Sequence, residues 1–143
     1  MLAGCMAAAS AREVRTSLTV SATVTALARI ERQTEPATIE ITAADLRRGF
    51  LDVSQPTMLL VRSNCPSGFA LDLITVAPMF DSVIVHGFAG DQSLGSEGGS
   101  IVQRWRGAQR MNLSLTFRLV LAPGLPAGIY PWPLRVAVRP LDQ

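Results

Sequence analysis

Leu18-Thr19-Val20-Ser21-Ala22-Thr23-Val24-Thr25-Ala26-Leu27-Ala28-Arg29-Ile30 sets apolar side chains at 18, 20, 22, 24, 26, 28 and 30 and hydroxyls at 19, 21, 23 and 25. A period of two gives one oily and one polar face, which is the requirement of a half-buried β-strand. Only Leu27 interrupts the alternation. The pattern predicts one long strand near the start of the mature chain. An amphipathic strand placed there either pairs within its own sheet or completes a sheet in another molecule.

Outward from this row, turn formers and short alternating runs succeed one another. Ile39 and Ile41 alternate with Thr38, Glu40 and Thr42, and Ala43 to Gly49 reads as a helical turn closed by glycine. Strands are expected over Phe50 to Val53 and Met58 to Arg62, stopped by the turn-rich Ser63-Asn64-Cys65-Pro66-Ser67-Gly68. Phe69, Leu71 and Leu73 open another strand, and Val83 to His86 the next; Gly87 to Ser100 reads as a glycine-rich surface loop. Leu113, Leu115, Phe117 and Leu119 alternate most clearly of all, and Leu134, Val136 and Val138 form the last strand. Many short strands with almost no helical period predict an all-β, immunoglobulin-like β-sandwich.

The chain has 143 residues, enough for one domain with a sizeable core, expected over 12–143. Hydrophobic residues at 48% and charged residues at 17% exclude intrinsic disorder. All 13 basic residues are arginines, which excludes lysine Schiff-base and P-loop chemistry. No apolar run approaches the ~20 residues needed to cross a bilayer as a helix. Residues 1–11 are uncharged, and Ala9-Ser10-Ala11 has the small-x-small pattern of a signal peptidase site, so they read as the remnant of an export signal cleaved before Arg12. Two other readings of this leader are a lipobox at Leu2-Ala3-Gly4-Cys5 and a short Ala-rich helix.

The residues offer little chemistry. With the leader removed, Cys65 is the one remaining thiol, expected buried and inert, and the single histidine, His86, has no neighbouring ligand set. No metal and no cofactor are expected. The glycines of 87–91 and 95–100 precede no helix that would aim amides at a phosphate. Arg104, Trp105, Arg106 and Arg110 are expected as a solvated rim, without a nucleic-acid partner. Asp72 and Asp81 as an acid/base pair, and Asn112-Leu113-Ser114 as a glycosylation sequon, are weak signals. No enzyme is expected.

Three stretches resemble the spore coat protein U family, the pilin-like subunits of archaic chaperone-usher pili. Leu18 to Val24 is similar to the family's N-terminal donor segment. Met58-Leu59-Leu60-Val61-Arg62-Ser63-Asn64 with Gly68-Phe69-Ala70-Leu71 is similar to its central strand, turn and strand. Ala127-Gly128-Ile129-Tyr130 leading into Leu134 to Val138 is similar to its closing Gly-x-Tyr and last strand. Such subunits commonly join the first strand to the central one by a disulfide; the matching positions here are Ala28 and Ser63, so this chain departs from the pattern.

The resemblance implies a sandwich lacking one strand, completed by donor-strand exchange, with residues 16–28 as the donor strand and Leu18, Val20, Ala22 and Val24 filling successive groove pockets of the next subunit. It implies a structural subunit of a secreted bacterial surface appendage, exported to the periplasm and then to the cell surface. The implied partners are neighbouring subunits in a head-to-tail polymer, a periplasmic chaperone and an outer-membrane usher. The alternative is an autonomous, monomeric periplasmic or secreted module of the same fold that binds a partner through its loops, with residues 18–30 paired in their own sheet.

Overall fold

The computed structural model describes residues 12–104 and 110–141. The expected leader remnant with Cys5, and Trp105 and Arg106 of the basic turn, lie outside the described residues.

Ten strands and one helix follow in order: β1 (Ala28–Thr34), β2 (Thr38–Ile41), α1 (Ala43–Arg48), β3 (Phe50–Ser63), β4 (Phe69–Thr75), β5 (Phe80–His86), β6 (Gln92–Gly95), β7 (Gly98–Gln103), β8 (Arg110–Leu121), β9 (Gly128–Pro131) and β10 (Leu134–Pro140). Eight of them form an antiparallel sheet in the order β1-β3-β8-β5-β6-β7-β4-β10, curled until its two edge strands stand beside each other. β2 and β9 make a separate two-stranded sheet at one end. The expected all-β architecture is therefore present, as a nearly closed sheet.

Period-two side chains explain the core. Leu113, Leu115, Phe117, Leu119 and Leu121 of β8 point inward, facing Val83 and Val85 of β5, Leu59 and Val61 of β3, and Phe69, Leu71 and Leu73 of β4. From the small sheet, Ile39 and Ile41 close the same core, and Trp132 meets Phe117 edge-on with centroids 5.6 Å apart. Thr42 caps α1: its Oγ1 accepts the Asp45 N–H at 3.2 Å, and the Asp45 carboxylate accepts the Thr42 N–H at 2.9 Å. Gly49 ends the helix in the left-handed region, as its position after Arg48 predicts.

Several boundaries differ from the sequence reading. The two strands expected at 50–53 and 58–62 are one 14-residue strand whose register breaks between Val53 and Thr57, where Pro56 has no N–H to give to the ladder. Residues 87–100, expected as a loop, contain β6 and the first half of β7, joined by a tight turn at Ser96-Glu97. Gly87, Gly98 and Gly99 here serve close packing. Gly98 has φ of +92°, and a Cβ on it would stand 2.0 Å from the carbonyl oxygen of Leu73 on the adjoining strand. The row expected as one strand from Leu18 to Ile30 is divided, and only Ala28, Arg29 and Ile30 belong to β1. β3 ends at Ser63, so the ladder has nothing to set opposite the residues before Thr25.

Gly98→Ala is expected to lower stability by at least about 1–3 kcal/mol, the cost of the strained backbone before the clash is counted. Gly90→Ala, whose added carbon meets open space, is expected to stay within about 0.5 kcal/mol of the parent. Urea unfolding of both variants checks the contrast.

Candidate functional site: the opening between the first and last strands

β1 is hydrogen-bonded to β3 on one side and β10 to β4 on one side; among the described residues no ladder joins β1 to β10, although the two strands approach each other. The residues following β1 (Glu35 to Ala37) and the start of β10 share the lining of one cleft, and the main-chain N–H of Trp132 donates to the Ala37 carbonyl at 3.1 Å. The end of β1 thus stands beside the start of β10, and the two edge strands run antiparallel across the opening. A strand lying between them must be antiparallel to one and parallel to the other.

The inner side of the opening is thinly covered. Ala28 and Ile30 on β1 and Val138 on β10 are half-buried against the core, where Leu134 and Val136 are buried. Farther along β1, Gln33 pairs with Leu59 and takes the inward-facing place with a polar side chain. There the opening widens into a cleft of about 590 Å³ lined by Gln33, Glu35, Pro36, Trp132, Arg135 and Val136.

The outer side is charged. Arg29, Arg62 and Arg110 stand directly opposite one another across β1, β3 and β8, a row of like charges that costs stability unless it is neutralised. Glu31, in the bulge between Ile30 and Arg32, supplies the neutralising charge, with oxygens 3.4 Å from Arg29, 3.6 Å from Arg62 and 3.1 Å from Arg110. Partial desolvation works against its ionised form, but the Arg110 and Arg29 contacts outweigh this and hold the Glu31 carboxyl below its ordinary value near 4.5. On β3 and β8, Arg118 grips Asp52 with both Nε and Nη2, at 2.7 and 3.1 Å, and lowers that carboxyl too.

The predicted interaction residues lie in the segment before β1. Residues 12–27 have no strand partner among the described residues, and Val14, Leu18, Val20 and Val24 are 84%, 86%, 79% and 79% exposed. This is the largest run of exposed apolar side chains in the described chain. Leu18 to Val24 is as long as β1 or β10, each seven residues. Its last residues are held by Asn64, a residue the sequence placed only in a turn. The Asn64 side chain accepts the Leu27 N–H at 2.6 Å and donates to the Thr25 carbonyl at 2.8 Å, while its own N–H donates to the Leu27 carbonyl at 3.1 Å.

The weaker sequence signals do not converge. Cys65 is buried, and its thiol donates to the Leu141 carbonyl at 3.1 Å, tying the end of β10 to the turn after β3. His86 Nδ1 is 2.7 Å from Asp91 Oδ1, so thiol and imidazole are engaged separately. Asp72 on β4 accepts from Ser100 and from Arg139, whereas Asp81 lies on β5 with β6 and β7 between, and the two carboxylates form no pair. Arg104 is exposed at the end of β7 and Arg110 is occupied by Glu31. Asn112 and Ser114 lie within β8, paired with Leu60 and Met58. Among the described residues no three of His, Cys, Asp and Glu come together. Ala28 and Ser63, in contrast, are directly opposite in the β1–β3 ladder.

Compared with protein-family models, with curated proteins and with solved structures, the chain matches none.

Glu31→Gln is expected to lower the urea midpoint at pH 7. A carboxyl whose folded value is lowered stabilises the fold above its unfolded value and loses that contribution as pH falls through the folded one. The difference between parent and variant should therefore shrink below about pH 4 and vanish in stronger acid. Ala28→Cys with Ser63→Cys, in a chain carrying Cys65→Ala, is expected to form an intrachain disulfide in air, because directly opposed antiparallel residues have Cα atoms about 4.5–5.5 Å apart. Thiol titration and a reduction-sensitive gel shift check it.

Proposed function

We propose that this chain is a structural subunit of a secreted bacterial surface appendage of the chaperone-usher type, and that it polymerises by donating residues 16–24 to the open sheet of the next subunit, the last residues of the expected 16–28 donor strand being held in its own sheet by Ser63 and Asn64. One observation carries the reading: an alternating apolar segment without a partner and a sheet open between β1 and β10 occur in the same chain. The reading takes the architecture as an immunoglobulin-like sandwich short of one strand.

The chemistry of the two parts is complementary. A strand that parts β1 from β10 to two strand spacings, about 9.5 Å, satisfies main-chain groups on both edges, and its inward side chains reach the thin layer between Ile30, Val136 and Val138. Leu18, Val20, Ala22 and Val24 are the inward set, each large aliphatic contributing roughly 1.5–3 kcal/mol on burial. Thr19, Ser21 and Thr23 then face outward beside Arg29, Arg135 and Arg139, and add no like charge to that surface. Because donor and acceptor are different surfaces, the contact is head-to-tail and propagates as a fibre. Before assembly the same opening requires a cover, the role of a periplasmic chaperone, with an outer-membrane usher receiving the subunit at the surface. The facing of Ala28 and Ser63 supports the reading as well, since these are the places where the resembling subunits join their first and central strands.

Val20→Asp and Val24→Asp place a charge in the buried row. Each is expected to reduce polymer formation at least tenfold, read by light scattering after size-exclusion chromatography, with the unfolding midpoint of the unassembled chain unchanged because both side chains are exposed there. Assembly unimpaired in both variants, or a parent chain that stays monomeric at all concentrations, overturns the proposal in favour of a self-contained binding module.

A further inference from the structure

Strand donation within one chain and between chains satisfies the same groove, so something must select between them. Resting on the strand-donation reading, we infer that Asn64 is the positioning residue that keeps the N-terminal segment out of its own groove and directs it to another chain.

The geometry is specific. The opening lies on the β10 side of β1, whereas Asn64 continues β3 on the opposite side. Its side-chain amide stands in for a peptide of a longer β3: one end accepts the Leu27 N–H, the other donates to the Thr25 carbonyl. The ladder is thereby extended past Ser63 without further strand residues, and Thr25 to Leu27 continue the line of β1. Residues 12–24 leave beyond the end of the sheet. To enter its own groove the chain must instead reverse within about four residues beside β1.

A second feature points the same way. Two-residue hairpin turns need residues that tolerate positive φ, chiefly Gly, Asn and Asp. Val24-Thr25-Ala26-Leu27-Ala28 has none of these. The local sequence therefore disfavours reversal and the Asn64 bonds oppose it. Their loss is expected to shift the balance between the two arrangements roughly tenfold or more, since two hydrogen bonds of ordinary net strength are broken on reversal.

The two restraints are separable by experiment. Thr25→Asn with Ala26→Gly supplies a turn and keeps the backbone groups that Asn64 holds; a second chain adds Asn64→Ala. Amide hydrogen exchange of residues 18–24 in dilute, unassembled protein reads whether the segment lies in its own groove, and light scattering reads assembly. The turn variant is expected to keep fast exchange and to assemble like the parent. The chain that also carries Asn64→Ala is expected to show a protected segment in the monomer and at least a tenfold loss of polymer. Protection equal in both variants, or absent from both while they assemble normally, overturns the role of Asn64 and leaves strand donation standing. A parent chain that neither assembles nor gains protection at any concentration removes the donation reading itself. Asn64→Asp in the turn background retains the acceptor for Leu27 but not the donor for Thr25; should the alanine chain not fold, partial protection in its place supports the assignment and none overturns it.

Discussion

The structure turns on a row of main-chain groups. The sheet curls far enough to bring β1 and β10 side by side, yet each strand offers its second edge to the opening and not to the other. Unpaired edge N–H and C=O groups attract any extended chain, and an apolar layer beneath them deepens the attraction. Ile30 and Val138 remain only half-buried for the same reason. One additional strand would finish the sheet, cover these side chains and remove both edges.

The rest of the chain holds that opening in shape. β8 carries the densest inward row and ties β3 to β5, so this part of the sheet is held by its own ladders and core. The Glu31 bulge bends β1 and gathers three arginines that would otherwise repel across the sheet. The Cys65 thiol fastens the far end of β10 through Leu141, and Trp132 fastens its near end through Ala37. An edge fixed at both ends and left unpaired between them keeps its shape, and a strand seated between β1 and β10 would have to widen their approach to two strand spacings, about 9.5 Å.

Much of this was legible in the residues, and the remainder was not for definable reasons. The inward face of β8 from Leu113 to Leu119, the strand from Phe69, the helical turn closed at Gly49, and the last strand from Leu134 all follow from local period and local chemistry. β6 and β7 did not, because a glycine that permits close approach to Leu73, Gly98, looks like a glycine that makes a loop flexible. The apolar row before Ala28 was expected to be strand and is unpaired up to β1, because an alternating pattern states only that a second surface is needed and not which chain provides it. The lining of the opening, Ile30 with Val136 and Val138, could not be found from sequence: being at an edge is a property of strand order. Asn64 was hidden more deeply, since an amide acting as part of a ladder is indistinguishable in sequence from an amide in a turn.

The central claim is that residues 18–24 of one chain fill the opening between β1 and β10 of another. Solid-state NMR on assemblies grown from an equal mixture of two preparations, one labelled at valine and the other at isoleucine, tests it at the level of side chains. The account predicts contacts between Val20 or Val24 of one chain and Ile30 of another. Assemblies that form with no such contact between differently labelled chains would contradict it.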